Sequence, residues 1–167
     1  MSDSRDVLAR VEREQPQYLE ELKEYIRIPS ISTDPEYKGE VLRCAGFLAD
    51  KMRAAGLTVE TIETGGHPLV YAEWMGAPGK PTVLFYGHYD VQPADPLELW
   101  TDAPFDPVIV TLPDGSKEIR GRGASDDKGQ LMTFVEACRA WKEVAGALPV
   151  PVTILLEGEE ESGGANL

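Results

Sequence analysis

The sequence predicts an α/β fold, a mixed sheet with helices on both faces. Three observations predict it. Apolar residues recur at helical spacing in three stretches, and short apolar or β-branched runs lie between those stretches. Glycine-rich turn signals separate the runs. Strands that alternate with helices are typical of a sheet covered by helices, and 167 residues are enough for one compact core.

The first two elements are helices. Residues 7–28 carry an apolar stripe at helical spacing, made of Val7, Val11, Tyr18, Leu22 and Ile26. Pro16 interrupts this stripe and predicts that a second part of the helix begins there, because proline removes a backbone donor. A second helix is predicted over residues 40–55, with Gly56 as its C-terminal stop.

The remaining elements are strands and one more helix. Strands are predicted at residues 57–63, 69–74, 82–86, 108–112, 117–120 and 152–156. Asp114-Gly115 predicts a hairpin turn. Residues 152–156 are apolar apart from Thr153, which is typical of a central strand. The third helix carries Leu131, Val135, Cys138 and Ala145 and is predicted to end near Gly146.

Composition excludes several classes of protein. The net charge is -13 and no Lys/Arg run is present, which argues against a nucleic-acid partner. No apolar run approaches the roughly 20 residues that cross a bilayer, and the first residues are polar and acidic, unlike a secretory signal. The two cysteines, Cys44 and Cys138, fall in helical stretches and are expected to be buried thiols in a reducing compartment. A cytoplasmic protein without a membrane partner is therefore expected.

Imidazole and carboxylate side chains follow three of the predicted strands. His88 and Asp90 follow the apolar run 82–85, and at a strand period of two they point the same way. Asp126 follows another strand, and Glu160 and Glu161 follow the predicted central strand. Because open α/β sheets bind ligands beyond the carboxyl ends of their strands, these side chains are expected to meet.

One histidine with several carboxylates suits zinc or a similar divalent ion. His88 is expected to ligate a metal, and Asp90 to fix the tautomer of its imidazole. Asp126 can bridge two ions about 3.5–4 Å apart. Adjacent residues point apart, so one of Glu160 and Glu161 can ligate while the other stays free as a general base.

Three motifs carry a family resemblance: Gly-His-Tyr-Asp-Val-Gln-Pro at 87–93, Gly-Arg-Gly-Ala-Ser-Asp-Asp-Lys-Gly at 121–129 and Glu-Gly-Glu-Glu-Glu-Ser-Gly at 157–163. In order and spacing the chain resembles the dinuclear-zinc metallopeptidases that include carnosinases, acetylornithine deacetylase, succinyl-diaminopimelate desuccinylase and glutamate carboxypeptidase. The resemblance covers essentially the whole chain. The Asp-Val-Gln-Pro form at 90–93 looks most like the dipeptidase and carnosinase branch.

The resemblance implies a three-layer catalytic domain and a role for each matched residue. It assigns His88 and Glu161 to one zinc ion each and Asp126 to the bridge between them. It makes Glu160 the general base and Asp90 the catalytic carboxylate beside His88. Cobalt or manganese could replace zinc. A cis peptide between Asp126 and Asp127 is also implied. The implied reaction is hydrolysis of a peptide or related amide bond, in a small peptide or N-acyl amino acid, by a water activated by two zinc ions.

Parts of the family pattern are not found. The family has another acidic ligand, a C-terminal histidine and a smaller domain used for dimerisation and for closing over substrate. His67 lies in a Gly-Gly-His-Pro turn and is not expected to substitute. Residues 1–167 are therefore expected to be the N-terminal part of the catalytic domain, truncated before the lid and dimerisation domain and inactive alone. The full-length protein is a candidate homodimer.

Two other interpretations stay open. The first is a truncated, non-catalytic metal-binding or interaction module derived from such an enzyme. The second is a plain α/β scaffold with an acidic face that retains no zinc. A purely structural role is also open for Asp127, which is placed to cap the third helix.

Overall fold

The computed structural model describes residues 4–167. Its helices are α1 Ser4–Ile26, α2 Lys38–Ala54 and α3 Lys128–Ala145. Its strands are β1 Thr58–Ile62, β2 Leu69–Trp74, β3 Val83–His88, β4 Val108–Thr111, β5 Lys117–Arg120 and β6 Val152–Glu157. Single 3-10 turns occur at Pro35–Tyr37, Leu97–Leu99 and Glu160–Ser162. Each predicted helix and strand is therefore present, with ends that differ by a few residues.

Four strands form a mixed sheet in the order β1-β2-β6-β3. β6 lies between two neighbours, which confirms that it is a central strand. It pairs antiparallel with β2 and parallel with β3, so β3 and β6 end at the same edge of the sheet. β4 and β5 form a separate hairpin, and Gly115 adopts a left-handed φ of +86° in its turn, as Asp114-Gly115 predicts.

The core lies between the sheet and helices α2 and α3. Its members include side chains from β2, β6, α2 and α3: Val70, Ala72, Ile154, Leu156, Val41, Leu48, Met52, Leu131 and Val135. Both helices pack on this face of the sheet, and α1 packs on α3. On β3, Leu84 and Tyr86 are 67% and 47% exposed. A three-layer fold also has helices on the opposite face of the sheet. Within residues 4–167, no helix covers the exposed β3 side chains on that face.

Helix α1 differs from its prediction. It continues without a break through Pro16, although that residue was expected to divide it. Pro16 is exposed, so the helix carbonyl that loses its donor there can bond to water instead. Helix α3 differs from its prediction at its last residue. Ala145 is exposed, although its spacing in the sequence placed it on the apolar face of the helix.

Lys128 joins the start of α3 to the end of α1. It is fully buried, and its Nζ donates to the main-chain oxygens of Tyr25, at 3.1 Å, and of Ile28, at 2.6 Å. A buried ammonium group is stable only when it is hydrogen-bonded. This contact fixes the segment after α1 beside the loop that carries Asp126.

The two cysteines are buried and unpaired, as predicted. Cys44 lies in α2 and Cys138 in α3, and both contribute to the core. Of the helices within residues 4–167, none combines the length and the apolar character needed to cross a membrane.

Candidate metal centre

The site forms where β3 and β6 end. β3 continues two residues beyond its predicted end, so that His88 is its last residue and pairs with Glu157 of β6. The turn Glu160–Ser162 follows β6 directly. Because the two strands are parallel, the residues that follow them are brought to the same edge, which confirms the predicted meeting of these segments.

The imidazole of His88 lies between two acidic groups. Its Nε2 is 3.0 Å from Oδ1 of Asp126, and its Nδ1 is 3.2 Å from the main-chain oxygen of Asp90 and 3.3 Å from Oδ1 of that residue. Burial lowers the pKa of His88, but the nearby carboxylates of Asp90 and Asp126 outweigh it and raise the pKa to about 9. The surroundings of this ring therefore favour a positive charge.

Asp90 is fully buried and connects three segments of the chain. Its Oδ2 accepts hydrogen bonds from the hydroxyl of Ser32, at 2.6 Å, and from the backbone N–H of Glu161, at 3.0 Å. Its Oδ1 has no hydrogen bond of good geometry within the described residues, although Nδ1 of His88 is close. Ser32 was not foreseen as part of the site, because in sequence it reads only as the turn that follows α1.

Asp126 and Asp127 diverge across a cis peptide bond, as the family resemblance implies. Asp126 faces the imidazole, whereas Oδ2 of Asp127 accepts a hydrogen bond of 3.2 Å from the backbone N–H of His88. Asp127 occupies the N-cap position of α3, but its side chain makes no capping hydrogen bond. The capping role that the sequence left open for Asp127 is therefore wrong, because the carboxylate binds the end of β3 instead. Burial raises the pKa of Asp127 above its ordinary value.

Glu160 and Glu161 both approach His88. Ligand atoms of these three residues all lie within 4.8 Å of one another. The expectation that the adjacent glutamates point apart is thus not met. Their partners differ, however: Glu161 accepts a 2.6 Å hydrogen bond from Nε2 of Gln92, whereas the Glu160 carboxylate is 48% exposed and accepts none from the described residues.

Glu159 anchors this turn to the β1–β2 hairpin. It is 8% exposed, and its two carboxylate oxygens accept from the backbone N–H of His67, at 2.7 Å, and from Nδ2 of Asn166, at 2.8 Å. Burial raises the pKa of Glu159, but these hydrogen bonds outweigh it and the pKa is lowered. His67 is outside the group formed around His88, as its place in a turn predicted. Nothing in the sequence distinguished Glu159 from its two acidic neighbours.

The donor set fits a divalent metal ion. One imidazole and two carboxylates offer atoms close enough to share an ion, and Asp126 adds a third carboxylate on the Nε2 side of the ring. Nitrogen and carboxylate oxygen are donors that zinc accepts. A cation held by His88 would also add positive charge near Oδ1 of Asp90, which has no hydrogen-bond partner in the part of the chain that the structure describes.

A mixed sheet whose parallel strand ends gather an imidazole and several carboxylates is the framework of a candidate divalent-metal site. Residues 84–167, half of the chain, match the sequence model of peptidase family M20/M25/M40. The chain belongs to this family.

Relatives and solved structures extend the match to most of the chain. The Cys-Gly metallodipeptidase of Candida albicans is 35% identical over 94% of this chain, and the Beta-Ala-His dipeptidase of Rattus norvegicus is 34% identical over 94%. Human carnosine dipeptidase 1 superposes with a TM-score of 0.86, at 31% identity over 96% of this chain and 36% of that structure. The chain spans about a third of the length of these curated relatives, 34% in both cases.

Proposed function

We propose that the protein to which this chain belongs is a zinc-dependent dipeptidase that cleaves a peptide or related amide bond in a small substrate. The observation that carries the proposal is the gathering of His88, Glu160 and Glu161 within 4.8 Å at the ends of two parallel strands. The relatives support it, since one is a dipeptidase and the other a metallodipeptidase, and they favour an enzyme over a non-catalytic module. Their names, Beta-Ala-His and Cys-Gly, point to small dipeptide substrates.

His88, Asp126 and Glu161 are the residues that would hold the metal, and Asp126 would be a ligand common to two zinc ions. Cobalt and manganese are alternative occupants, because both accept nitrogen and oxygen ligands. When bound, zinc lowers the pKa of a coordinated water and polarises a carbonyl oxygen. Asp90 orients the ring, because its oxygens face Nδ1 and leave Nε2 directed toward Asp126.

Glu160 is proposed as the general base. Its carboxylate is half-exposed, lies 4.0 Å from Nε2 of His88 and accepts no hydrogen bond from the described residues, so that it can take up a proton from water. The oxygen of the deprotonated water adds to the substrate carbonyl carbon, and the C–N bond then breaks. Glu160 returns the proton to the nitrogen that leaves as an amine.

Residues 1–167 are proposed as the N-terminal part of the catalytic domain. The chain's coverage of about a third of its relatives supports this assignment. For the full-length protein, the proposal adds a domain that serves as lid and dimerisation surface. The full-length protein is proposed to be a cytoplasmic homodimer with no membrane or nucleic-acid partner.

The adjacent glutamates provide the test. In the intact protein, Glu160→Gln should lower turnover of a dipeptide such as Cys-Gly by about 10²–10⁴-fold while zinc stays bound. Glu161→Gln, matched in position and chemistry, should lose zinc as well as activity. Undiminished turnover in the Glu160 variant would contradict its role as base, and full zinc occupancy in the Glu161 variant would contradict its role as ligand.

A further inference from the structure

We infer that Ser32 is a positioning residue of this site, which acts through Asp90 on both His88 and Glu161. The inference rests on the proposed function. Its basis is the 2.6 Å hydrogen bond from the Ser32 hydroxyl to Oδ2 of Asp90. Ser32 itself lies on the segment between α1 and α2 and is not within the metal-ligand group.

Asp90 depends on few donors. Because Asp90 is fully buried, the loss of a hydrogen bond to its carboxylate is costly. Oδ2 receives one from the Ser32 hydroxyl and one from the backbone N–H of Glu161, while Oδ1 faces Nδ1 of His88 at 3.3 Å. Loss of the Ser32 hydroxyl therefore removes one of two donors to Oδ2 and leaves the carboxylate free to rotate away from the imidazole and from the turn that carries Glu161.

The backbone that presents Ser32 is fixed against the site. Ile31 forms a parallel bridge with Val91, and the N–H of Val91 donates to the main-chain oxygen of Ser30 at 2.9 Å. The segment consequently runs alongside Tyr89–Val91, and the Ser32 hydroxyl meets Asp90 without a long, flexible side chain. A short side chain on an anchored backbone is suited to holding a carboxylate in one orientation.

Ser30 offers a matched control two residues away. It is fully buried, and its hydroxyl donates a hydrogen bond of similar length, 2.7 Å, to the main-chain oxygen of Tyr89. That oxygen also lies 3.4 Å from Sγ of Cys44, so it keeps a partner when the hydroxyl is removed. Ser30→Ala therefore removes a buried serine hydroxyl from the same segment without touching the Asp90 carboxylate.

The test compares Ser32→Ala, Ser32→Thr and Ser30→Ala in the intact protein. Zinc affinity is measured by chelator competition. The kinetic constants kcat and KM are measured with the dipeptide used for the wild type, and thermal stability is measured on the zinc-free protein. Ser32→Ala should weaken zinc binding and lower kcat about 10–100-fold, as expected for a residue that orients a metal ligand, with KM changed much less. Ser32→Thr keeps the hydroxyl and should restore both. Ser30→Ala should lower thermal stability but keep the wild-type zinc affinity and kcat.

Two outcomes overturn the inference while the proposed function stands. One is a Ser32→Ala protein whose zinc affinity and kcat equal those of Ser30→Ala. The other is an equal loss in Ser32→Ala and Ser32→Thr, because the effect would then follow packing and not the hydroxyl. A wild-type protein that binds no zinc and cleaves no dipeptide would overturn the proposed function, and the inference with it.

Discussion

Nε2 of His88 lies 3.0 Å from Oδ1 of Asp126, although the two residues are 38 positions apart in the chain. The contact joins the end of β3 to the loop that precedes α3. The Asp126 side chain is 75% exposed, so it can turn from the imidazole toward an incoming cation at little expense in packing. This pair brings the loop after the separate β4–β5 hairpin to the edge where β3 and β6 end.

Asp126→Asn tests the bridging role that we propose. The substitution keeps the size of the side chain but removes its negative charge, so zinc binding by the intact protein should weaken by at least about 10-fold. Titration with zinc against a chelator measures the change. Asp50→Asn is the control, since Asp50 is an exposed residue of α2 that pairs with Arg53. Equal zinc binding by both variants would contradict a role for Asp126 in holding metal.

Gly87 leaves room for the residues that support His88. A Cβ at this position would lie 2.4 Å from Cδ2 of Leu131 and 2.6 Å from Oδ2 of Asp127. Gly87→Ala should therefore lower the free energy of unfolding by about 1–3 kcal/mol, the range for overpacking, and displace Asp127 from the N–H of His88. Urea denaturation measures the first effect.

Gly46, within α2, is the control for the same substitution. A Cβ there meets nothing within 4 Å, so alanine should raise the free energy of unfolding by about 0.5–1 kcal/mol through its higher helix propensity. If Gly87→Ala were as stable as Gly46→Ala, the close packing of β3 against α3 would be refuted.

The buried carboxyl of Glu136, which lies outside the candidate metal site, should make the free energy of unfolding depend on pH. Burial raises the pKa of Glu136 from 4.5 to about 7, and Glu21 adds to the rise, although Arg139 and Lys51 oppose it. The folded protein then binds a proton that the unfolded chain has released between pH 4.5 and 7. This contribution to stability is complete below pH 4.5 and is lost as the pH rises through 7.

Glu136→Gln should make the fall in stability over that interval shallower. Each unit of pKa shift corresponds to about 1.4 kcal/mol, and urea midpoints at pH 4.5, 6 and 7.5 give the slope. Glu20→Gln, which changes an exposed carboxylate of α1, should keep the wild-type slope. If the urea midpoints of wild type and Glu136→Gln changed with pH in parallel, the raised pKa of Glu136 would be refuted.

Much of the fold was predictable because it follows from local patterns. Gly56 and Gly146 end α2 and α3 with left-handed backbone, as helix-stop glycines do, and the apolar run that forms β6 is central. Pro16 misled the prediction because sequence alone does not tell whether the carbonyl left without a donor faces water. The predicted strands indicated that the motifs after β3 and β6 would meet at one edge, but Asp126 follows β5, which lies in a separate hairpin.

The contacts that orient the site were harder to foresee. Ser32 reaches Asp90 across 58 positions of sequence, and Glu159 reaches the backbone of His67 across 92. Neither pairing leaves a periodic or local signal, because each depends on where the segment after α1 and the turn between β1 and β2 lie relative to the ends of β3 and β6. The direction of Asp127 has the same origin, since a helix-capping residue looks the same in sequence whether it caps or binds a neighbouring strand.

The number of zinc ions bound by the intact protein, in wild-type form and as His88→Ala, tests the central claim most directly. Equilibrium dialysis followed by metal analysis gives this number. The account predicts two ions per chain in the wild type and loss of at least one in His88→Ala, while an unchanged number with unchanged affinity in the variant would contradict it.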